Sequence, residues 1–165
     1  MAESSSLDPE RIFAMLDAHD VEYVVVGGIA VQAHGHLRTT NDVDVIPSPQ
    51  MVNLKRLADA LNELGARVLN PGGEHLQIDA KMLPRAKLWQ FATSHGDLDV
   101  MHDAPGAPPF ASLRGRALII ALGEHTIPIA SRDDLINMKR AAGRPRDLSD
   151  IAALTEPEHR SESPS

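Results

Sequence analysis

Two aspartates, Asp42 and Asp44, lie two residues apart where acidic and apolar residues alternate. Side chains two apart on a strand point to the same face, so a strand over residues 42–46 would project both carboxylates together. Two neighbouring carboxylates repel each other unless a cation or a proton neutralises them. Mg²⁺ prefers such oxygen ligands and keeps its other positions for water and substrate phosphates. The pair therefore indicates either a metal site or the polar face of an ordinary edge strand.

A pair of glycines, Gly27 and Gly28, directly follows the apolar run at residues 23–26. The run is typical of a buried strand, and residues 29–34 are typical of a short helix that ends at Gly35. Because glycine has no Cβ, the backbone at such a turn can approach a phosphate, and the helix N-terminus offers free N–H groups to an anion. The two interpretations are a phosphate-binding turn and a plain tight turn.

A second acidic alternation contains Asp97 and Asp99. Asp99 is the better-placed inward carboxylate if its neighbours Leu98 and Val100 enter the core, and Asp97 stays open as the alternative. Three carboxylates from two adjacent strands can hold two metal ions roughly 4 Å apart, which stabilises both the attacking and the leaving oxygens of a phosphoryl transfer. Asp99 could also accept the proton of an attacking hydroxyl. The competing interpretation is a hairpin with solvent-facing aspartates.

The surrounding patterns predict an α/β (α+β) domain with a mixed, largely antiparallel sheet flanked by helices. Capping residues and apolar spacing predict helices after Asp8, after Ser48 and after Ser131, and a last short helix capped by Asp147 or Ser149. Further strands are predicted at residues 66–69, 76–80, 88–93, 98–101, 117–122 and 125–129. We expect disordered tails at residues 1–7 and 155–165 and a single domain over residues 8–154.

Composition narrows the classes of function. The chain has 165 residues, no cysteine, one Trp, one Tyr and three Phe. Without cysteine, disulfides, thiolate zinc sites and a cysteine nucleophile are excluded, and so few aromatic residues argue against a base-stacking platform. The longest apolar run, residues 117–122, is far shorter than the roughly 20 residues of a membrane helix. Together with the acidic N-terminus, this predicts a cytoplasmic protein with no membrane partner.

The charges are distributed unevenly along the chain. The net charge is −7, yet residues 112–146 hold seven basic residues against three acidic ones. The aspartates considered above all lie N-terminal to that basic segment. An acidic site that faces a basic segment suits a metal–phosphate substrate, and an uneven surface charge without function is the plain alternative. The negative net charge argues against specific DNA binding.

Taken together, the diglycine, the D-x-D pair and the third aspartate resemble the nucleotidyltransferase superfamily typified by DNA polymerase β. More narrowly, VVVGGIAV at residues 24–31, RTTNDVDV at 38–45 and LINMKRAAGRPRDLSDI at 135–151 look like small bacterial nucleotidyltransferases grouped with AbiEii- and MenT-type toxins. The resemblance covers about residues 22–154. It implies the nucleotidyltransferase fold, with ATP or another NTP as the substrate.

The resemblance also implies roles for individual residues. Asp42, Asp44 and Asp99 would bind Mg²⁺, with Mn²⁺ as the alternative ion, and Asp99 would act as the base. The nucleotide-binding residues that it implies are Gly27, Gly28, Arg38, Lys139 and Arg140. The family often has serine where this chain has Gly28, so a side-chain hydroxyl contact is absent at that position. We also expect no attached helical domain of the kind that would bind a large acceptor.

We therefore expect a Mg²⁺-dependent enzyme that transfers an NMP from an NTP to an acceptor hydroxyl and releases pyrophosphate. A tRNA 3′ end, which the resemblance to the toxins implies, competes as acceptor with a protein hydroxyl and with a small molecule such as an aminoglycoside. The alternative is a non-catalytic nucleotidyltransferase-like module of a toxin–antitoxin pair, whose partner would be a cognate antitoxin. Three clustered carboxylates favour the enzyme, because a binding module has no need of them.

Overall fold

The computed structural model of the chain describes residues 6–156 and is built on one seven-stranded sheet. The strands are β1 (Tyr23–Val26), β2 (Asp42–Pro47), β3 (Arg67–Val68), β4 (Leu88–Thr93), β5 (Gly96–Met101), β6 (Leu118–Leu122) and β7 (His125–Ile129). The helices are α1 (Pro9–Ala18), α2 (Gly27–Ala33), α3 (Met51–Glu63), α4 (Phe110–Gly115), α5 (Arg132–Ala142) and α6 (Pro145–Thr155), with a 3₁₀ turn at Leu83–Arg85.

The sheet has the strand order β3-β4-β5-β2-β1-β7-β6. Its pairings are antiparallel for β1–β2, β3–β4, β4–β5 and β6–β7, and parallel for β2–β5 and β1–β7. The prediction of a mixed, largely antiparallel sheet flanked by helices is therefore confirmed. The strand order places β2 between β1 and β5 at the centre of the sheet. The strand that carries Asp42 and Asp44 thus has a paired neighbour on each side.

The core forms on the face of the central strands opposite to the aspartates. Val43 and Val45 of β2 and Leu98 and Val100 of β5 are fully buried, each next to an aspartate that points the other way. This is the period of two that the sequence predicts for a half-buried strand. Burying each of these side chains contributes roughly 1.5–3 kcal/mol, which fixes the orientation of the strand. The aspartates therefore have to point to the opposite face.

The structure differs from the sequence predictions at four places. Residues 76–80 form no strand, because Ile78 and Ala80 are buried within a loop, whose carbonyl at Ile78 accepts a hydrogen bond from Asn62 Nδ2 at 3.0 Å. The helix predicted from residue 29 begins at Gly27, directly after β1. Helix α4 was not predicted, because the prolines before it indicated only a loop.

The last helix also begins earlier than predicted. Pro145 is its first residue, which suits a proline because its missing N–H has no intrahelical partner there. Asp147 lies inside the first turn and is not the cap. Its carboxylate accepts a hydrogen bond from the Arg144 backbone N–H at 3.1 Å. The prediction that Asp147 or Ser149 caps this helix was therefore wrong.

Both predicted tails lie largely outside the described part of the chain. Residues 1–5 and 157–165 are not described, so the prediction of disordered tails stays a prediction. Leu7, at the end of the predicted N-terminal tail, packs against the core, and the Asp8 N–H donates to the His95 carbonyl at 2.8 Å. Helix α6 continues to Thr155. Across residues 6–156, no helix has the length and apolar character needed to cross a membrane.

Candidate active site

Asp42, Asp44 and Asp99 meet on one face of the sheet. The parallel pairing of β2 with β5 sets Asp44 beside Asp99 and Asp42 beside Asp97. One carboxylate oxygen from each of Asp42, Asp44 and Asp99 lies within 4.8 Å of the other two. Asp97 is exposed and is not part of this group. The structure thus brings together the three aspartates that the resemblance implies and leaves out the alternative, Asp97.

Burial and the proximity of other acids strongly perturb the protonation of Asp44 and Asp99. Burial raises the pKa of Asp44 to about 8, and the negative charges of Asp42 and Asp99 act in the same direction. Burial likewise raises the pKa of Asp99 to about 6, and the charge of Asp42 adds to the effect. A full set of negative charges is unfavourable here unless a proton or a cation is shared among them. The three-aspartate cluster therefore has the electrostatics of a cation-binding site.

This electrostatic cost predicts a pH-dependent stability. The pKa of Asp44 is higher in the folded protein than its usual value of 3.8. The folded state consequently binds the proton more tightly, and the stability it contributes is lost as the pH rises towards 8. In EDTA we expect the free energy of unfolding to fall by a few kcal/mol between about pH 5 and pH 9. Urea titrations at several pH values would measure the fall.

Two controls isolate the cluster as the cause. Added Mg²⁺ should reduce the fall, because bound cation replaces the lost proton. The variant Asp44→Asn should flatten the profile, because the group with the most strongly raised pKa in the cluster is gone. A wild-type profile in EDTA that is as flat as that of the variant would contradict the expectation.

Gly27 lies against the carboxylate of Asp44. The antiparallel pairing of β1 with β2 places the last residue of β1, Val26, opposite Asp44, and helix α2 begins at the next residue. Gly27 has φ +71°, and a Cβ added there would lie 2.0 Å from Asp44 Oδ2. Both the backbone conformation and the available space thus require glycine. The backbone at Gly27 therefore passes directly beside the Asp44 carboxylate.

Thr40 fills the space next to Gly28. A Cβ added at Gly28 would lie 2.8 Å from Thr40 Cβ and 2.8 Å from Thr40 Oγ1. The Thr40 hydroxyl donates a hydrogen bond to the Asp42 carbonyl at 3.0 Å, which fixes its position at the start of β2. A serine at position 28 would therefore clash with Thr40. Thr40 thus occupies the space that a side chain at position 28 would fill. No local sequence pattern predicts this contact.

These residues line a cavity of about 400 Å³, a size suited to a small-molecule ligand. The three-aspartate cluster and both glycines are among the lining residues. Basic side chains also line the cavity, namely Arg38, Lys139, Arg144 and Arg146. Part of the wall is apolar and includes Leu88, Met101, Ala104, Pro105, Leu135, Met138 and Ala142. The cavity thus presents acidic, basic and apolar groups to a ligand.

Three of the four basic side chains, those of Arg38, Lys139 and Arg144, contact two carboxylates of α6. Asp150 Oδ2 lies 2.9 Å from Arg38 Nη1 and 2.8 Å from Lys139 Nζ. Asp147 Oδ2 lies 2.7 Å from Arg144 Nε. Burial acts to raise the pKa of Asp147, but the hydrogen bonds and the charge of Arg144 keep it below its usual value. The cations at the cavity are therefore positioned and partly neutralised by the protein itself.

Sequence reasoning found some of these basic residues and missed others. Lys139 is buried and lines the cavity, whereas Arg140 is exposed and does not. The roles of both in nucleotide binding stay predictions. Arg144 and Arg146 were assigned no role, although both lie in the segment 135–151 that carries the resemblance. Asp147 and Asp150 were missed as partners, although their spacing of three on a helix places them on one face.

Because Lys139 is buried and its neighbour Arg140 is exposed, we expect Lys139→Ala to destabilise the fold more than Arg140→Ala does. Lys139→Ala leaves Asp150 with only the Arg38 contact and removes a second contact of Asp147, at 3.7 Å. Losing one partner of a buried ion pair is costly, so we expect a loss of at least about 2 kcal/mol in the free energy of unfolding. Arg140→Ala is the control, because Arg140 is exposed. Urea denaturation of both variants measures the difference, and equal losses would contradict it.

Comparisons with known proteins give a consistent fold. No family model matches the chain, and no curated protein matches it by sequence. Among solved structures, the lincosamide antibiotic adenylyltransferase LnuA with lincomycin bound is similar with a TM-score of 0.60 at 16% identity, covering 91% of this chain and 98% of that one. The complex of ANT(2″)-Ia with adenylyl-2″-tobramycin gives 0.56 at 16% identity, covering 88% and 84%.

A third match comes from outside the antibiotic-modifying proteins. An antigenic nucleotidyltransferase-like protein from Paracoccidioides brasiliensis gives a TM-score of 0.57 at 14% identity, covering 91% of this chain and 78% of that one. Each of these structures aligns with at least 88% of the chain. At such low identity the likeness concerns the fold and not the chemistry. The chain has the nucleotidyltransferase fold.

Proposed function

We propose that the chain is a nucleotidyltransferase, which transfers an NMP from an NTP to an acceptor hydroxyl and releases pyrophosphate. The observation that carries the proposal is the three-aspartate cluster beside Gly27, in a cavity that also presents basic side chains. The fold supports the proposal, since one similar structure is an adenylyltransferase and another is a complex with an adenylylated antibiotic. The substrate would be ATP, GTP, CTP or UTP, bound as its magnesium complex, and the reaction would take place in the cytoplasm.

The cluster fits Mg²⁺ by the chemistry of its donors. Three carboxylate oxygens within 4.8 Å of one another are hard ligands of the kind that Mg²⁺ takes together with water and phosphate. Burial and the neighbouring acids raise the pKa of Asp44 and so disfavour its ionised form, which a bound cation would offset. Asp42, Asp44 and Asp99 would hold the ion, which would supply charge stabilisation for the reacting phosphate. Mn²⁺ has the same ligand preference and is the alternative ion.

The remaining steps follow from the chain's own residues. Phosphates would lie in the cavity next to the cluster, where Arg38 and Lys139 would attract them. Asp99 would accept the proton of the acceptor hydroxyl, whose oxygen forms a bond to the α-phosphorus as the bond to pyrophosphate breaks. A carboxylate within hydrogen-bond reach of the attacking hydroxyl suits this task. Positioning and charge stabilisation supply most of the catalysis in such reactions.

Three classes of acceptor follow from different observations. The resemblance to AbiEii- and MenT-type toxins favours a tRNA 3′ end and would bring a cognate antitoxin as partner. The structures similar in fold contain antibiotics or an adenylylated antibiotic, which favours a small molecule. A hydroxyl on a protein is the third class. The apolar part of the cavity wall suits an acceptor with an apolar face, which each of these classes can offer.

One experiment tests the activity and sorts the acceptors. The protein is incubated with each α-³²P-labelled NTP, Mg²⁺ and a total cell extract, and the label is separated into RNA, protein and small molecules. We expect one fraction to gain label from α-labelled but not from γ-labelled NTP, because the γ-phosphate leaves with pyrophosphate. Label in the same fraction from the extract alone, without the protein, would show an enzyme of the extract. No label with any NTP would contradict the proposal.

The neutralised cations favour one competing function, a non-catalytic module that binds a partner. Arg38 and Lys139 already contact Asp150, so phosphates would have to displace an internal carboxylate. Isothermal titration of an NTP with and without Mg²⁺ distinguishes the two. Metal-dependent binding supports the enzyme, and binding that is absent under both conditions supports the module.

A further inference from the structure

On the cavity face, the sheet continues from the three-aspartate cluster to β4. Asp44 of β2 pairs with Asp99 of β5, and Asp99 pairs in turn with Gln90 of β4. Paired residues of neighbouring strands point to the same face, so the three side chains form one row across the sheet. Gln90 is exposed and lines the same cavity as the two aspartates. The row thus runs from the proposed metal ligands to a neutral amide.

The backbone of Gln90 shows how closely its side chain approaches Asp99. Its N–H donates to Asn70 Oδ1 at 2.8 Å, and its C=O accepts from the Leu69 N–H at 2.8 Å. Both groups therefore point away from β5, which makes Gln90 and Asp99 a non-hydrogen-bonded pair. In such pairs the Cα atoms are only about 4.5 Å apart and the side chains are at their closest. A molecule bound to the Asp99 carboxylate is thus within the range of the Gln90 amide.

The amide of Gln90 is available to a ligand. Asn70 continues the pairing of β4 where β3 has ended, since its Nδ2 also donates to the Leu88 carbonyl at 2.9 Å. These bonds fix the β4 backbone without using the Gln90 side chain. Within residues 6–156, that side chain forms no hydrogen bond. Its carbonyl oxygen and its NH₂ group therefore both remain for a partner.

The cavity has a basic side and an uncharged side. Arg38 lies near the end of β1, because its Cζ is 3.7 Å from a Cβ added at Gly28, and it shares Asp150 with Lys139. On the other side of the cluster, beyond Asp99, the lining residues from β4, the end of β5 and the following loop are uncharged, namely Leu88, Gln90, Met101, Ala104 and Pro105. The phosphates of an NTP belong on the basic side, which leaves the uncharged side to the acceptor.

We propose that Gln90, Leu88 and Met101 form the acceptor subsite, and that the acceptor is a small, uncharged hydroxyl compound with an apolar face. The inference rests on the proposed nucleotidyl transfer. The acceptor oxygen bonds to the α-phosphorus as pyrophosphate leaves, and its proton passes to Asp99. Gln90 holds a polar group of the acceptor beside the reacting hydroxyl.

The two apolar residues of the subsite determine the rest of the acceptor. Leu88 is 40% exposed and pairs with Met101, which is the next pair on the same face after Gln90 and Asp99. Both side chains are placed to pack against an apolar surface of the bound molecule. A polyanion such as RNA would meet no cation among the lining residues on this side, and phosphate contacts supply much of the affinity for nucleic acids.

The size and charge of the acceptor are tested first. A total cell extract is passed through an ultrafiltration membrane that retains RNA and proteins, and the filtrate is passed over an anion-exchange resin. We expect the unbound filtrate to gain label from α-³²P-labelled NTP in the presence of the wild-type chain and Mg²⁺. Acceptor activity only in the retained RNA and proteins, or only on the resin, overturns the inference. No labelling of any fraction would contradict the nucleotidyl transfer itself, and this inference with it.

Gln90→Leu tests the role of the amide, because it keeps most of the side-chain volume and removes the hydrogen bonds. The amount of unbound filtrate that gives half-maximal labelling should rise by about fivefold or more. The KM for the NTP should stay unchanged, whereas a general structural defect would affect both values. Gln77→Leu is the matched control, since Gln77 is exposed and does not line the cavity. If the wild-type transfers label and Gln90→Leu requires no more filtrate than it does, the inference fails and the proposed function stands.

A second pair of variants tests the apolar contact. Leu88→Asn should also raise the half-saturating amount of filtrate, because an apolar contact with the acceptor is lost. Leu118→Asn is its control: Leu118 is 48% exposed on β6 and does not line the cavity. Metal-dependent binding of the NTP, measured by isothermal titration, should be the same in both variants. Equal half-saturating amounts for the two variants would contradict the placement of the acceptor on Leu88.

Discussion

Asp44→Asn is expected to lower the rate of nucleotide transfer by a factor on the order of 10³ or more. Asp44 lies at the centre of the cluster, in register with Asp99 and two residues from Asp42. An amide there removes one anionic ligand and reduces the charge that attracts a cation. Transfer of label from α-labelled NTP, under the conditions that give the wild-type its highest rate, measures the loss.

The fold of this variant should survive. The carboxylate of Asp44 is destabilising when ionised, since burial and two neighbouring acids raise its pKa to about 8. In EDTA at pH 8 the thermal midpoint of Asp44→Asn should therefore equal or exceed that of the wild-type. Asp97→Asn is the matched control, because Asp97 is exposed on the same strand as Asp99 but lies outside the cluster. It should keep its activity within about twofold; activity retained by Asp44→Asn would refute the mechanism.

Gly27→Ala should reduce both stability and activity. The left-handed φ of +71° costs a residue with a Cβ roughly 1–2 kcal/mol, and the new methyl group would lie 2.0 Å from Asp44 Oδ2. The strand or the carboxylate must move to relieve this contact, so the geometry of the cluster is lost. We expect at least a hundredfold lower transfer rate, since small displacements in such sites have effects of this size. Urea denaturation and the labelling assay measure the two effects.

The control Gly35→Ala separates the effect of backbone strain from the effect of contact with Asp44. Gly35 also has a left-handed φ, of +93°, but no atom lies within 4 Å of a Cβ added there. Its substitution should cost only the backbone strain and leave the transfer rate close to that of the wild-type. If Gly35→Ala impairs transfer as much as Gly27→Ala does, contact with Asp44 is not what requires glycine at position 27.

The sequence predicted the parts of the site that depend on local periodicity. Asp42 and Asp44 share a face because Val43 and Val45 enter the core, and this follows from the spacing alone. The choice of Asp99 over Asp97 needed one further fact, the register of β5 on β2. Both aspartates lie on the same face by parity, and only the pairing of Asp44 with Asp99 brings that residue into the cluster.

The parts that sequence reasoning missed depend on contacts between distant segments. Thr40 lies over Gly28 because a loop returns to the start of β2, and no local pattern encodes that return. The contact between Arg38 and Asp150 joins residues more than a hundred positions apart. The strand predicted at residues 76–80 is absent for the same reason. Its apolar residues Ile78 and Ala80 pack a loop against the core and do not pair with another strand. Local patterns indicate which residues are buried, and not always what they contact.

The shared contact of Arg38 and Lys139 with Asp150 also affects how an anion would enter. Arg38 belongs to the loop after α2 and Lys139 to α5, and one oxygen of α6 contacts both. An incoming polyphosphate would replace Asp150 as the counter-ion of Arg38 and Lys139. Both cationic side chains are already largely shielded from water. Once that exchange has occurred, Asp150 would no longer tie the loop to α6, so the contact between these two segments would depend on whether the cavity is occupied.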